Sequence, residues 1–181
     1  MTHRLVIGVD PGHKGALAAL ADGRFVGFVD MPTMPRKTKG NEVDAVTLAA
    51  KLRNWRSGHD GAYIVAVLEQ ASAIPVMDRG EGKRIGMGAS SAFNFGEGFG
   101  AMKGVLAALS IPIVVVPPAR WKARFALQGG QKGAARALAI QRFPEAAEYL
   151  DRVKDDGRAE ALLIAHWAEL TEAVGPAKVA A

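Results

Sequence analysis

The chain has 181 residues, 49% of them hydrophobic, enough to bury one sizeable core. It has no cysteine, which excludes a disulfide framework and thiolate metal ligands, and no apolar run long enough to span a membrane. A net charge of +5 points to a polyanionic partner, and a first strand that starts at residue 4 leads us to expect no secretory leader and cytoplasmic residence.

Arg4-Leu-Val-Ile-Gly-Val-Asp10 reads as a buried strand that ends in one acid. The turn Pro11-Gly-His-Lys-Gly15 sends the chain back along a second strand, 15–21, and Asp22-Gly23 marks a hairpin into a third, 24–30. Residues 31–42 read as a polar loop with Pro and Lys, and Asp44 as the N-cap of a helix over 45–56. Ala62–Glu69 repeats the opening pattern, an apolar run suited to a strand covered on both faces and again ending in one acid.

A long glycine-rich loop follows over 73–90 and carries Arg79, Lys83 and Arg84. Ser90-Ser91 is placed to cap a helix over 91–109. Gly96, Gly100 and Gly104 fall on one face of it, which suits either tight packing on the sheet or a close contact at a subunit interface. Residues 111–116 form a fifth strand. Pro117-Pro118 starts a short helix over 119–126, and a turn over 127–132 opens another over 133–143. A second basic group, Arg120, Lys122, Arg124, Lys132 and Arg136, lies in this stretch. The predicted architecture is α/β: a mixed five-stranded sheet flanked by helices, one domain over 1–175, with a frayed tail over 176–181.

The last helix carries the third acidic element. Asp156 and Glu160 are four apart and share a helix face that continues through Leu163, Ile164 and Trp167. The acids therefore extend the stripe that docks on the sheet, where a solvated pair would oppose it. Asp155 is assigned to capping instead. Asp10, Glu69, Asp156 and Glu160 are thus expected to converge. Two carboxylates about 4 Å apart repel by roughly 4 kcal/mol at an effective dielectric near 20, so such a cluster needs protons or cations. Hard oxygen donors without Cys or His select Mg²⁺ or Mn²⁺, and two such ions would clamp a phosphodiester.

In order and spacing these motifs resemble the RNase H-like superfamily and, within it, the RuvC-type Holliday-junction resolvases, over about residues 4–170. DPGHKG resembles the first family motif, VLEQ the second, and DDGRAEALLIA the terminal acidic motif, giving Asp10, Glu69, Asp156 and Glu160 as catalytic metal ligands. SSAFNFGEGFGAMKGVL resembles the dimer-interface helix. PPARWKARFALQGGQKGAA resembles a stretch with two lysines near the scissile phosphate, here Lys122 and Lys132. The resemblance implies a homodimer that cuts four-way DNA junctions in paired symmetric nicks, using two Mg²⁺ or Mn²⁺ ions per site and leaving 5′-phosphates. Arg79, Lys83, Arg84, Arg120, Lys122, Arg124, Lys132 and Arg136 are the expected DNA contacts.

The chain departs from the bacterial pattern at Gly157, which stands three before Glu160 where bacterial members carry an Asp; phage-type members are closer. The bacterial junction-wedging aromatic is also missing, with Ile74, Met77 or Phe93 as substitutes. His13 is expected to be solvated or to touch phosphate, His166 to pack or lie at the surface, and Trp121 and Trp167 to be core residues. Two further readings stay open. One is an RNase H-like nuclease for RNA, RNA–DNA hybrid, or flap or branched DNA; the other is a non-catalytic nucleic-acid-binding protein.

Overall fold

The computed structural model describes residues 3–37, 40–70, 76–77, 84–85 and 89–171. The elements run β1 (Arg4–Val9), β2 (Ala16–Ala21), β3 (Arg24–Asp30), β4 (Thr33–Pro35), β5 (Asn41–Val43), α1 (Ala45–Ser57) and β6 (Tyr63–Glu69). Then come β7 (Val76–Met77), β8 (Arg84–Ile85), α2 (Ala89–Ala108), β9 (Ile113–Val116), α3 (Pro118–Arg124), α4 (Ala134–Arg142) and α5 (Asp156–Thr171). Short 3-10 turns at Pro144–Tyr149 and Val153–Asp155 lead into α5.

Five strands form the expected mixed sheet, in the order β3-β2-β1-β6-β9. The antiparallel pairs β3/β2 and β2/β1 come from tight turns, while β1, β6 and β9 run parallel because helices connect them. Asp22 (φ 49°) and Gly23 (φ 78°) both take the left-handed conformation that a two-residue hairpin demands. The Asp22 carboxylate accepts from the Arg4 backbone N–H at 2.9 Å, tying that turn to the start of β1.

Alternation along the strands sorts side chains onto two faces. Val6, Ala18, Val65, Val67 and Val116 meet α3, α4 and α5 on one side. Leu5, Ile7, Leu17, Ala66 and Leu68 meet α1 and α2 on the other. α5 is the most buried helix: Leu162, Leu163, Ile164 and Trp167 are all enclosed, each worth roughly 2 kcal/mol relative to an exposed side chain. It lies so close to β1 that a β-carbon at Gly8 would stand 2.0 Å from the Ala161 carbonyl oxygen and 2.6 Å from the Ala165 nitrogen.

Several expectations need correction. Part of the loop expected over 31–42 is the β4–β5 hairpin, held to α2 by an Arg36–Glu97 ion pair. Pro32, Pro35 and Gly40 suggest a loop, yet Pro35 sits at the end of a three-residue ladder, where its missing N–H does little harm. The 73–90 loop contains the short β7–β8 ladder. α2 begins at Ala89, so Ser90 and Ser91 lie inside its first turn instead of ahead of it. Asp44 does cap α1, accepting from the N–H groups of Val46 and Thr47. The predicted tail, 176–181, lies outside the described residues. No described helix is long and apolar enough to cross a membrane.

Gly8 and Gly27 make a matched pair, because among the described residues nothing lies within 4 Å of a β-carbon at Gly27. Gly8→Ala must push α5 off the sheet and should cost about 3 kcal/mol or more in urea unfolding. Gly27→Ala should change stability by less than about 0.5 kcal/mol.

Candidate active site

Parallel register brings the two strand-end acids together. Val9 pairs with Leu68, so Asp10 and Glu69 follow side by side at the carboxyl edge of the sheet. The two-residue period puts both on the α5 side, in line with Val6 and Gly8 on β1 and with Val65 and Val67 on β6. The turn after Asp10 is tight. The Asp10 carboxylate accepts from the Gly12 N–H at 3.3 Å, and a β-carbon at Gly15 would stand 2.3 Å from the Asp10 carbonyl oxygen.

Burial dominates the electrostatics of this pair. It pushes Asp10 up to about 6; the Gly12 N–H works against that, the charge of Glu160 adds to it, and Lys122 opposes it. Burial likewise pushes Glu69 up to about 7, opposed by a hydrogen bond from Trp121 and increased by the charges of Asp10 and Glu160. Glu160 is thus the helix acid that both strand acids feel. Its Oε1 accepts from Lys122 Nζ at 3.0 Å.

Asp156 takes another partner: its carboxylate lies 3.0 Å from Arg136 Nε on α4. It still lines the same small cleft of ≈ 170 Å³ as Lys122, Lys132 and Glu160. Gly157 lies against the Asp10 turn. A β-carbon there would stand 2.7 Å from the Lys14 carbonyl oxygen and 3.2 Å from Asp10 Oδ2.

The sequence reading missed Trp121 as a site residue. Its side chain is fully buried, and its Nε1–H donates to Glu69 Oε1 at 3.1 Å. The available signal was chemical: a buried indole N–H needs an acceptor, and Trp121 lies just beyond β9, the strand beside β6. Lys122 Nζ also stands 5.0 Å from the Trp121 ring centre, so one indole steadies both a carboxylate and an ammonium.

Arg120, Arg124 and Lys132 are exposed, and Arg120 lies over the Trp167 ring at 5.6 Å. The charge of Arg136 is engaged by Asp156. Arg79, Lys83 and Ile74 lie outside the described residues, as do the side chains of Arg84 and Met77. Phe93 is 66% exposed near the start of α2. Asp155 closes a capping box with Arg152, accepting from its backbone N–H at 2.9 Å. His166 packs between Phe125 and Phe143, and Trp167 is core. His13 is half-buried beside Gly98, with its Nε2 shielded from solvent, which departs from the solvated alternative and leaves the phosphate contact as the other expectation.

Among the described residues, no three His, Asp or Glu side chains stand close enough to hold a cation as placed. The chemistry of the donors nevertheless fits one. Asp10 and Glu69 are half-buried carboxyls with raised proton affinity, Glu160 repels both, and Lys122 is the cation that offsets them. An oxygen-only set of this kind suits a hard divalent ion.

No family model matches the chain. It is similar to the chloroplastic Holliday junction resolvase MOC1 of Chlamydomonas reinhardtii, with 40% identity over 70 residues. That match covers 38% of this chain and 8% of the relative. Among solved structures it is similar to T. thermophilus RuvC in complex with Holliday junction substrate, at TM-score 0.60 and 17% identity, covering 96% of this chain and 98% of that one. A second Thermus thermophilus RuvC structure matches at TM-score 0.58 and 16% identity, over 93% and 96% of the two chains. The α/β sheet is therefore of the RuvC type, as the motifs led us to expect.

The raised carboxyls make stability depend on pH. The folded protein holds protons on Asp10 and Glu69 that the unfolded chain releases near pH 4 to 4.5, so stability falls as pH rises from about 4 through about 7. Asp10→Asn and Glu69→Gln remove that penalty. In scanning calorimetry with EDTA, each should raise Tm by several degrees at pH 8 and by little at pH 4.5. Equal gains at both pH values would show that charge burial is not the cause.

Proposed function

We propose that this chain is a structure-selective endonuclease of the RuvC type that cleaves four-way DNA junctions by divalent-metal-dependent phosphodiester hydrolysis. The observation that carries the reading is that Asp10 and Glu69 stand side by side at one sheet edge within electrostatic reach of Glu160, which shares a cleft with Lys122 and Lys132. The likeness to a RuvC bound to a Holliday junction supports the substrate class.

Asp10, Glu69 and Glu160 would hold Mg²⁺ or Mn²⁺, and Asp156, now paired with Arg136, would be a further oxygen donor. The chemistry supplied by two such ions is activation of water and stabilisation of the leaving oxygen. The protein's own part is to orient and to balance charge. Trp121 fixes the Glu69 carboxylate through one hydrogen bond. Lys122, now against Glu160, places an ammonium where a phosphate oxygen arrives, and Lys132 adds a second at the rim. Burial keeps Asp10 and Glu69 short of solvent, which strengthens each of these interactions.

Paired nicks need two sites, and α2 offers the surface for a homodimer. Among the described residues, no neighbour lies within 4 Å of a β-carbon at Gly96, Gly100 or Gly104, so they leave open the face that allows close backbone approach.

The test is a substrate panel of four-way junction, flap, nicked duplex, RNA–DNA hybrid and linear duplex, with Mg²⁺ or EDTA. We expect paired symmetric nicks on the junction only, and only with Mg²⁺. Preferential cutting of the hybrid or the flap would reassign the substrate. Asp10→Asn, Glu69→Gln and Glu160→Gln should each abolish cleavage, by 10³-fold or more on the order of a lost catalytic group, while junction binding survives. Lys122→Ala and Lys132→Ala should slow it. Cleavage that persists in all three acid variants would refute the site.

A further inference from the structure

A second charged cleft takes in part of the Asp10 turn. It measures ≈ 700 Å³ and is bounded by that turn, the end of β3 and the residues that enter α5. Four cations, Lys14, Arg152, Lys154 and Arg158, face two carboxylates, Asp30 and Asp155, an excess of two positive charges.

Both carboxylates are already held. Arg158 grips Asp30 with two hydrogen bonds of 2.6 Å. Arg152 holds Asp155 at 2.8 Å, and Arg158 adds a contact to Asp155 at 3.9 Å. The arginines are thereby fixed as walls. The lysines differ: Lys14 and Lys154 are exposed, and among the described residues neither forms an ion pair. A rigid basic wall with two untethered ammonium groups at its mouth suits a mobile, hydrated anion such as a phosphodiester.

The position of the cleft identifies the source of that phosphate. Lys14 belongs to the same turn as Asp10, and its carbonyl packs on Gly157 at the start of α5. The start of α5 joins the two clefts: Asp156 and Glu160 line that of Lys122 and Lys132, while Asp155 and Arg158 line that of Lys14 and Lys154. A strand laid across Asp10 therefore leaves one basic rim and reaches the next.

We propose that this cleft is a second backbone-phosphate subsite, which takes a phosphodiester of the bound DNA strand beyond the one at Asp10. Lys14 and Lys154 make the contacts, and Arg152 and Arg158 hold the wall. The proposal rests on the nuclease reading above.

The test is the affinity of the full-length protein for a labelled four-way junction, by fluorescence anisotropy in EDTA, between 50 and 200 mM salt. Each phosphate contact contributes about 0.9 to the slope of log K against log salt. Lys14→Gln combined with Lys154→Gln should weaken binding about 5- to 50-fold at low salt and flatten the slope by about 1 to 2. Lys51→Gln combined with Arg53→Gln removes the same charge from the exposed side of α1 and should leave both quantities near wild type. An unchanged slope in the Lys14/Lys154 variant, or an equal loss in the α1 control, would overturn the subsite. Wild-type cleavage of the junction with Mg²⁺, measured alongside, separates that result from a failure of the nuclease reading itself.

Discussion

The contact between α5 and β1 sets the geometry of everything around it. Gly8 leaves no room for a β-carbon beneath Ala161, and Gly157 leaves none above the Lys14 carbonyl. Backbone therefore lies on backbone along the seam, and a seam of this kind cannot slide without steric conflict. Ala16 and Ala18 keep the adjoining strand low enough for the same helix. The depth at which Glu160 arrives is fixed by these small residues, one turn after Gly157. Were α5 a few ångströms further out, Asp10 and Glu69 would be solvated strand ends of an ordinary kind.

Close packing of the helix also creates the electrostatic problem that the site must solve. Asp10 and Glu69 lose water, and Glu160 adds a like charge that both of them feel. Local compensation is partial: one N–H from Gly12, one from the Trp121 indole and the ammonium of Lys122. A half-buried carboxyl pair left in this state keeps protons to higher pH than free carboxyls do unless positive charge comes from outside. The other helix acids show the contrast. Asp155 is paired with Arg152 and lies well below the usual carboxylate range, chiefly through that hydrogen bond. Asp156 is met by Arg136. Among these acids, the least compensated charge thus lies at the sheet edge.

The parts of this arrangement that were legible in the sequence are those governed by short periods. Two apolar runs each ending in one acid implied two interior strands with acids at their ends, and the i, i+4 spacing of Asp156 and Glu160 put two more on the docking stripe. The parallel register that sets Asp10 beside Glu69 came from the fold. Side-chain pairing between distant elements was not legible. The bond from Trp121 to Glu69 spans 52 residues, and nothing local to either residue specifies it. The Arg136–Asp156 pair likewise depends on how α4 crosses α5, which sequence spacing does not give. The β4–β5 hairpin was hidden because its strands are three residues long and share their composition with loops.

Gly157 shows why a departure from a familiar motif can be a requirement of this particular chain. A side chain there would place its first carbon 2.9 Å from the Gly15 Cα and 3.2 Å from Asp10 Oδ2. An aspartate at 157 would therefore have to displace the turn that carries Asp10 before its carboxylate could serve the site. With the turn where it is, the helix acid must come from a residue whose Cβ leaves the seam. Glu160 satisfies this: it lies beside Lys122, reaches inward with the longer of the two acidic side chains and is felt by both strand acids. Asp156 lies a full turn earlier on the same face with the shorter side chain, and there Arg136 meets it first. The tight glycine turn and the choice of Glu160 are consequently one structural decision, made where α5 meets the end of β1.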